Sequence, residues 1–169
     1  MMRHSKGTKW PQPARRNRLI KERVHDPYHV RLKPKEGSVC GGCQAVYAGG
    51  KWRWREAPAD SHKTTCPACQ RTKDKFPAGT LRLSGRFFAD HKAEILSLVR
   101  NSAEREWKSH PLHRIMAIRD QGADAVVTTT DIQLPRTIGQ ALHDAYSGDL
   151  KINYGDEAYS IDVGWTRAE

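Results

Sequence analysis

The chain has 169 residues, with 29 lysine and arginine residues against 19 aspartate and glutamate residues and a formal net charge of +10. This length suits one ordinary domain plus a smaller module. The sequence contains no apolar run long enough for a membrane span or for the core of a signal peptide. We therefore expect a cytoplasmic protein with no membrane partner.

The charge is distributed unevenly along the chain. Residues 1–79 contain 18 basic and 6 acidic residues, whereas residues 80–169 contain 11 basic and 13 acidic residues. A positive charge concentrated in one part of a chain is typical of nucleic-acid binding. The alternative is that these basic residues form an ordinary solvated surface.

The first segment, residues 1–37, is predicted to be a basic extended arm. It has four prolines and few residues that could form a core. A segment of this composition does not fold alone but can become ordered on a polyanion. Trp10, which is next to a proline, suits stacking on a base or filling a pocket. A tail that only improves solubility is the alternative.

The second segment, residues 38–79, contains all four cysteines of the chain. They form two C-x-x-C pairs, Cys40 with Cys43 and Cys66 with Cys69, separated by 22 residues. This spacing predicts one Zn²⁺ held by four thiolates, and a site with four protein ligands is structural because no position is open for substrate. A redox or disulfide role and an iron–sulfur cluster are alternatives.

Between the cysteine pairs, two tryptophans alternate with basic residues. Trp52 and Trp54 lie among Lys51, Arg53 and Arg55, and a Gly-Gly pair precedes them. This alternation predicts a strand that follows a hairpin turn and has one aromatic and one cationic face. The tryptophans either form the core of the module or stack on bases. Arginine suits phosphate contacts because its planar fork matches two phosphate oxygens.

Fifteen side chains of the arm and the module are predicted to contact nucleic acid. They are Trp10, Arg15, Arg16, Arg18, Lys21, Arg23, Arg31, Lys33, Lys35, Lys51, Arg53, Arg55, Lys63, Arg71 and Lys73.

The third segment, residues 80–169, is predicted to be an α+β domain with the order β-α-β-β-α-β-β. We expect Ser84 to cap a first helix that runs to about Trp107, and Asp131 to cap a second helix. The first six elements match the ferredoxin-like order βαββαβ, and one extra strand follows. The predicted fold class is therefore α+β: a basic arm, a Cys₄ zinc-ribbon module and a ferredoxin-like domain.

The sequence provides no support for a catalytic site. It contains no phosphate-binding glycine loop and no H-E-x-x-H motif. His110, His113 and Asp131 are the most suggestive side chains, but histidines at a helix end and an aspartate before a helix have structural explanations. We expect a protein that is not an enzyme.

Two parts of the chain together resemble a known family. The cysteine module and the following segment, with the stretches CPACQR, PAG, LSG and GADAVVTTTD, resemble a family of small bacterial proteins and the N-terminal part of the large-ribosomal-subunit export adaptor of archaea and eukaryotes. The resemblance covers about residues 38–165. The adaptor has further cysteine pairs and domains, so nuclear export is not implied. What the resemblance implies is ribosome association through zinc and basic surfaces, with the four cysteines as ligands.

Taken together, these patterns predict a ribosome-associated protein that contacts ribosomal RNA through its arm and zinc module, in ribosome hibernation or assembly. A flexible arginine-rich segment suits RNA, which is recognised largely through shape and backbone. The first alternative is a zinc-containing DNA-binding transcriptional regulator. The second is a metabolic enzyme with its site near His110, His113 and Asp131. The near-neutral C-terminal domain also offers a surface for a protein partner.

Overall fold

The computed structural model describes residues 26–31, 33–156 and 158–169. This part of the chain is a mixed α+β structure with two sheets. Its helices are α1 (Pro27–Arg31), α2 (Pro67–Asp74), α3 (Arg86–Asp90), α4 (Lys92–Ser109) and α5 (Gln133–Tyr146). Its strands are β1 (Val39–Cys40), β2 (Val46–Ala48), β3 (Lys51–Arg53), β4 (Lys63–Thr64), β5 (Gly79–Ser84), β6 (Ile115–Asp120), β7 (Ala125–Thr129), β8 (Asp149–Tyr154) and β9 (Ile161–Thr166). None of these helices is long and apolar enough to cross a membrane.

The small sheet has the strand order β3-β2-β1-β4 and belongs to the cysteine module. A tight turn joins β2 to β3, and Gly49 and Gly50 adopt the positive φ angles of 62° and 76° that this turn requires. In β3 the side chains of Lys51 and Arg53 are exposed and Trp52 is buried. The predicted alternation is therefore present, although the strand ends at Arg53.

The large sheet has the strand order β6-β7-β5-β9-β8. β5 pairs antiparallel with β7 and parallel with β9. The extra strand at the end of the chain is thus in the interior of the sheet and separates β5 from β8. Its alternate residues Ile161, Val163 and Trp165 are at most 2% exposed. Their burial accounts for the position of β9, because an edge strand would leave these apolar side chains only partly covered.

Helices α4 and α5 pack against each other and form one apolar core with the large sheet. The prediction of a single helix from Ser84 to Trp107 is wrong in one respect, because the chain forms two helices there, α3 and α4, which are divided at His91. Gly85, with φ of 98°, begins α3 in place of the predicted cap. The Asp131 prediction is confirmed in its contacts, since its Oδ2 accepts hydrogen bonds from the amides of Gln133 and Leu134 at 2.8 and 2.9 Å, although the N-cap position itself is Ile132.

The end of the predicted arm is folded against the cysteine module. α1 packs on α2, and the phenol of Tyr28 donates a hydrogen bond to Asp74 at 3.0 Å. Asp26, just before α1, pairs with Arg71 of α2 at 2.7 Å. The prediction of an extended chain is therefore wrong for residues 27–31, which form a helix over a buried guanidinium.

Candidate metal centre and basic surface

The four cysteines converge on one point. Each sulfur lies within 4.8 Å of the other three, and none of the four forms a disulfide. The sulfurs of Cys43 and Cys66 are 3.8 Å apart. Two thiolates that bind one tetrahedral ion at the zinc–sulfur bond length of about 2.3 Å lie about 3.8 Å apart. The cluster therefore has the size of a site for a single metal ion.

Local backbone structure positions these sulfurs. Cys66 is the N-cap of α2, Pro67 fills the first helical position, and the Cys66 sulfur accepts a hydrogen bond from the Cys69 amide at 3.4 Å. The Cys40 sulfur accepts another from the Cys66 amide at 3.2 Å. Because these donors point at the sulfurs, they stabilise negative charge there, as a metal–thiolate site requires.

The crowding around the sulfurs leaves little space for a side chain at Gly42. A Cβ atom at this position would lie 3.0 Å from the Cys69 sulfur and 3.7 Å from the Cys40 sulfur. At Gly41, in the same turn, the nearest atom would be the Thr64 carbonyl oxygen at 3.9 Å. The first turn therefore needs glycine at one of its two inner positions for space.

Arg114 joins the cysteine cluster to the large sheet. Its two terminal nitrogens donate to the sulfurs of Cys69 and Cys66, each at 3.3 Å, and its Nε donates to the Pro111 carbonyl at 2.8 Å. Burial opposes its charge, but the hydrogen bond to Cys69 and the nearby sulfur charges outweigh burial and raise the pKa of the guanidinium. The sequence analysis missed this residue, because 45 and 48 residues separate it from its two partners.

The thiols do not hold their protons equally. The hydrogen bond with Cys66 lowers the pKa of Cys43 to about 4, and the same bond together with burial raises the pKa of Cys66. Burial also raises the pKa of Cys69. A bound divalent ion would displace the remaining protons, because a coordinating thiol is deprotonated outright. The four cysteines thus form a candidate metal site with a cation, Arg114, beside it.

Both tryptophans of the module are used in packing. Trp52 is 6% exposed and meets Tyr47 edge to face at a centroid distance of 5.6 Å. Trp54 packs against Trp107 of α4 at 4.9 Å and donates from Nε1 to the Trp107 carbonyl at 2.6 Å. The sequence left open whether these tryptophans form the core of the module or stack on bases. Trp52 belongs to the core. Trp54 lies at the junction with α4.

The predicted nucleic-acid contacts fall into several groups. The positions from Trp10 to Arg23 lie outside the described residues, and Arg31 lies in α1. Lys51 and Arg53 are together on the outer face of β3, and β4 with Lys63 forms the opposite edge of the small sheet. Seven of the predicted residues are exposed: Lys33, Lys35, Lys51, Arg53, Arg55, Lys63 and Lys73.

The prediction for Arg71 is wrong. Its side chain is 1% exposed, so it does not face solvent. It pairs with Asp26, donates to the Phe76 carbonyl at 3.1 Å, and lies 4.3 Å from the centre of the Tyr28 ring. An arginine in C-x-x-C-x-R looks like a surface cation in the sequence, but here it anchors α1 to α2.

A cavity of about 270 Å³ lies where the cysteine module meets the large domain. Its lining includes His113, Asp131 and Tyr159 but not His110. Burial and the charges of Asp26 and Asp131 raise the pKa of Tyr159 to about 12, so it is a neutral phenol near pH 7. Burial likewise raises the pKa of Asp131, although His113 and two backbone amides act in the opposite direction. The cavity is thus lined by several polar side chains, among them His113, Thr130, Asp131 and Tyr159.

Comparison with known proteins gives no family assignment. No protein-family model, curated protein or solved structure matches the chain.

Proposed function

We propose that this chain is a non-enzymatic, zinc-stabilised protein that binds ribosomal RNA and associates with the ribosome in the cytoplasm. The cysteine module acts as a zinc ribbon that presents a rigid cationic surface, and the large domain, a ferredoxin-like arrangement with one inserted strand, supports it. The proposed role is in ribosome hibernation or in ribosome assembly.

Zinc is the metal that best fits the cysteine cluster. Four thiolates in a compact tetrahedral set favour Zn²⁺ or an iron–sulfur cluster. The 3.8 Å separation of the Cys43 and Cys66 sulfurs supports one small ion. All four sulfurs lie within 4.8 Å of one another, whereas sulfurs bound to different irons of a cluster would lie farther apart. Arg114 offsets part of the double negative charge that four thiolates leave on a bound Zn²⁺.

The observation that carries the proposal is the cationic outer face of β3. Lys51 and Arg53 point away from the buried Trp52, and Arg55 is exposed just beyond them. Arg53 is held in place because its Nε donates to the Ala48 carbonyl at 3.0 Å. A guanidinium on a rigid hairpin loses little further freedom when it binds phosphate, which favours binding.

We prefer RNA to DNA as the ligand because the basic arm and the cysteine module together suit a protein that recognises the backbone of a nucleic acid. Structured RNA is recognised mainly by shape and by contacts to phosphates and 2′-hydroxyls. The choice of the ribosome as the source of that RNA follows from the resemblance of residues 38–165 to the ribosomal export adaptor and to the related small bacterial proteins.

A filter-binding assay with purified full-length protein tests the RNA-binding part. The variant Lys51→Gln/Arg53→Gln/Arg55→Gln removes three charges from the proposed surface. The matched control Arg82→Gln/Arg119→Gln/Lys151→Gln removes three exposed charges from strands of the large sheet. We expect the first triple variant to weaken binding to ribosomal RNA and to lower the slope of log K against log salt by about 2, since each lost phosphate contact removes about 0.7–0.9 from that slope. The control should retain nearly wild-type behaviour.

The same assay separates the alternatives. Equal losses in both triple variants would show that only total charge matters, and the proposed surface would be wrong. Tighter binding to a DNA duplex than to ribosomal RNA would favour the DNA-binding regulator.

Sedimentation of cell lysate through a sucrose gradient, with an immunoblot for this protein, tests ribosome association directly. We expect the protein to migrate with a ribosomal subunit or with whole ribosomes at low salt and to be released at high salt. Migration at the top of the gradient at both salt concentrations would overturn the ribosomal part of the proposal.

A further inference from the structure

Three side chains at the end of α4 form a second cluster of metal-binding atoms, separate from the cysteines. Glu106, His110 and His113 each place a ligand atom within 4.8 Å of the other two. The two imidazole rings are 4.7 Å apart and inclined by 31°. Two imidazoles and one carboxylate are a ligand set that Zn²⁺ and its neighbours in the first transition row accept.

The backbone fixes the relative positions of these three residues. The amide of His110 donates to the Glu106 carbonyl at 2.8 Å at the end of α4, and the amide of His113 donates to the His110 carbonyl at 3.0 Å. The buried Pro111 lies in this turn. Because successive hydrogen bonds join all three residues, their side chains are presented on a stiff framework and little order has to be gained when an ion binds.

Glu106 and His113 form a long hydrogen bond whose length also matches the separation of two ligands of one ion. His113 Nδ1 lies 3.4 Å from Glu106 Oε2. A good nitrogen–oxygen hydrogen bond measures about 2.7–3.2 Å. Two ligands of one tetrahedral ion, at bond lengths of about 2.0–2.2 Å, lie about 3.4 Å apart. His110 is exposed, so its ring can turn toward an ion held by the other two side chains.

The other ring nitrogen of His113 faces a carboxylate, at an ion-pair distance that is longer than a hydrogen bond. Its Nε2 lies 3.6 Å from Asp131 Oδ2, and Asp131 is 6% exposed. The Oδ1 atom of Asp131 is buried and has no hydrogen-bond partner among the described residues. A histidine that binds a metal through one nitrogen commonly directs the other toward a carboxylate, which orients the ring and increases its basicity.

We propose that Glu106, His110 and His113 bind a divalent transition-metal ion such as Zn²⁺, with Asp131 as the positioning residue behind His113. The site differs in kind from the cysteine cluster. It has three protein ligands, so at least one coordination position is left for water or an exogenous ligand. It also uses nitrogen and oxygen donors in place of sulfur, and it therefore exchanges metal more readily than four thiolates would.

Cobalt(II) distinguishes the two sites spectroscopically. The full-length protein is first loaded with one equivalent of Zn²⁺, which the thiolates retain because Zn²⁺ binds more tightly than Co²⁺. Co²⁺ is then added. We expect one further equivalent to bind and to give weak visible bands without the intense near-ultraviolet absorption of a cobalt–thiolate bond.

Variants assign that second equivalent to its ligands. His110→Ala and Glu106→Gln alter partly or fully exposed side chains and should leave the fold intact, and each should weaken Co²⁺ binding at least tenfold. Asp131→Asn should weaken it by about 10- to 100-fold, as expected for the carboxylate behind a ligand. The control His91→Ala replaces an exposed histidine at the other end of α4 and should have no effect. The proposal is overturned if no second equivalent binds at millimolar Co²⁺, or if His110→Ala and His91→Ala bind it equally well. Either result would mean that the three side chains form only a polar cluster.

Discussion

Replacing Arg114 by methionine tests whether the large domain stabilises the cysteine site. Among the described residues, Arg114 is the only side chain besides the cysteines that donates hydrogen bonds to their sulfurs. Methionine keeps much of the length and apolar volume but has no charge and no donor. We expect the variant to fold but to bind zinc more weakly.

The expected size follows from the two contacts at 3.3 Å. A hydrogen bond to a charged group contributes about 1.5–3 kcal/mol. In the variant, water replaces part of the lost donation, and the cost of burying the guanidinium no longer arises, so the net loss is smaller than the sum. We expect about 2–3 kcal/mol, or about a 30- to 150-fold weaker zinc affinity, which is near the upper end of the effect of removing a group that supports metal ligands.

Competition against a chromogenic zinc chelator at neutral pH measures this difference. Arg119→Met, an exposed change in β6, is the matched control and should retain wild-type affinity. Arg114→Lys should fall between the two, because an ammonium keeps the charge but cannot donate to two sulfurs with the fork geometry of arginine. Equal zinc affinities in Arg114→Met and Arg119→Met would refute the idea that Arg114 stabilises the site.

Three further predictions address the module and the cavity. Gly42→Ala should weaken zinc binding by about tenfold, because its Cβ would lie 3.0 Å from the Cys69 sulfur. Gly41→Ala is the control and should bind zinc normally. Equal zinc affinities of the two variants in chelator competition would contradict the steric argument. Cys43→Ser should release the metal and expose the amides of residues 40–75 to hydrogen exchange, while the large domain stays protected. Full metal content together with unchanged hydrogen exchange would show that the zinc assignment is wrong. Since the folded state holds the Tyr159 proton up to about pH 12 and an unfolded tyrosine loses it near pH 10, stability should fall as pH rises between these values. In an ultraviolet titration the last tyrosinate step should vanish in Tyr159→Phe, and its persistence would contradict the burial of that phenol.

Local patterns in the sequence were enough to locate the cysteine cluster and most of the elements. The C-x-x-C spacing predicts the cluster because each pair needs only a short turn to aim two sulfurs at one ion. The alternation around Trp52 predicts β3, and Asp131 predicts the start of α5, because strand periodicity and helix capping depend on neighbours in sequence. These features need no information about distant parts of the chain.

Features that depend on distant partners were not predicted. Arg71 is buried because Asp26 and Tyr28 meet it from a segment 45 and 43 positions away, and a sequence pattern does not show that pairing. The order of strands along the chain likewise does not determine their order in the sheet, so the insertion of β9 between β5 and β8 was not anticipated. At the start of α3, a Cβ at Gly85 would lie 2.2 Å from the Arg167 carbonyl oxygen, and the sequence pattern does not show this contact with a distant residue.

The two proposed metal sites share one short segment, and this has a thermodynamic consequence. His110 and His113 belong to the second site, and Arg114, the next residue, donates to Cys66 and Cys69. An ion bound by the histidines would hold the turn that presents Arg114 to the sulfurs. Binding at each site should then favour binding at the other by the same factor, because coupling free energies are reciprocal. The Co²⁺ affinity of the zinc-loaded protein should therefore fall in Arg114→Met, although Arg114 is not a ligand of the second site, and should be unchanged in Arg119→Met. Equal Co²⁺ affinities in these two variants would mean that this turn does not couple the two sites.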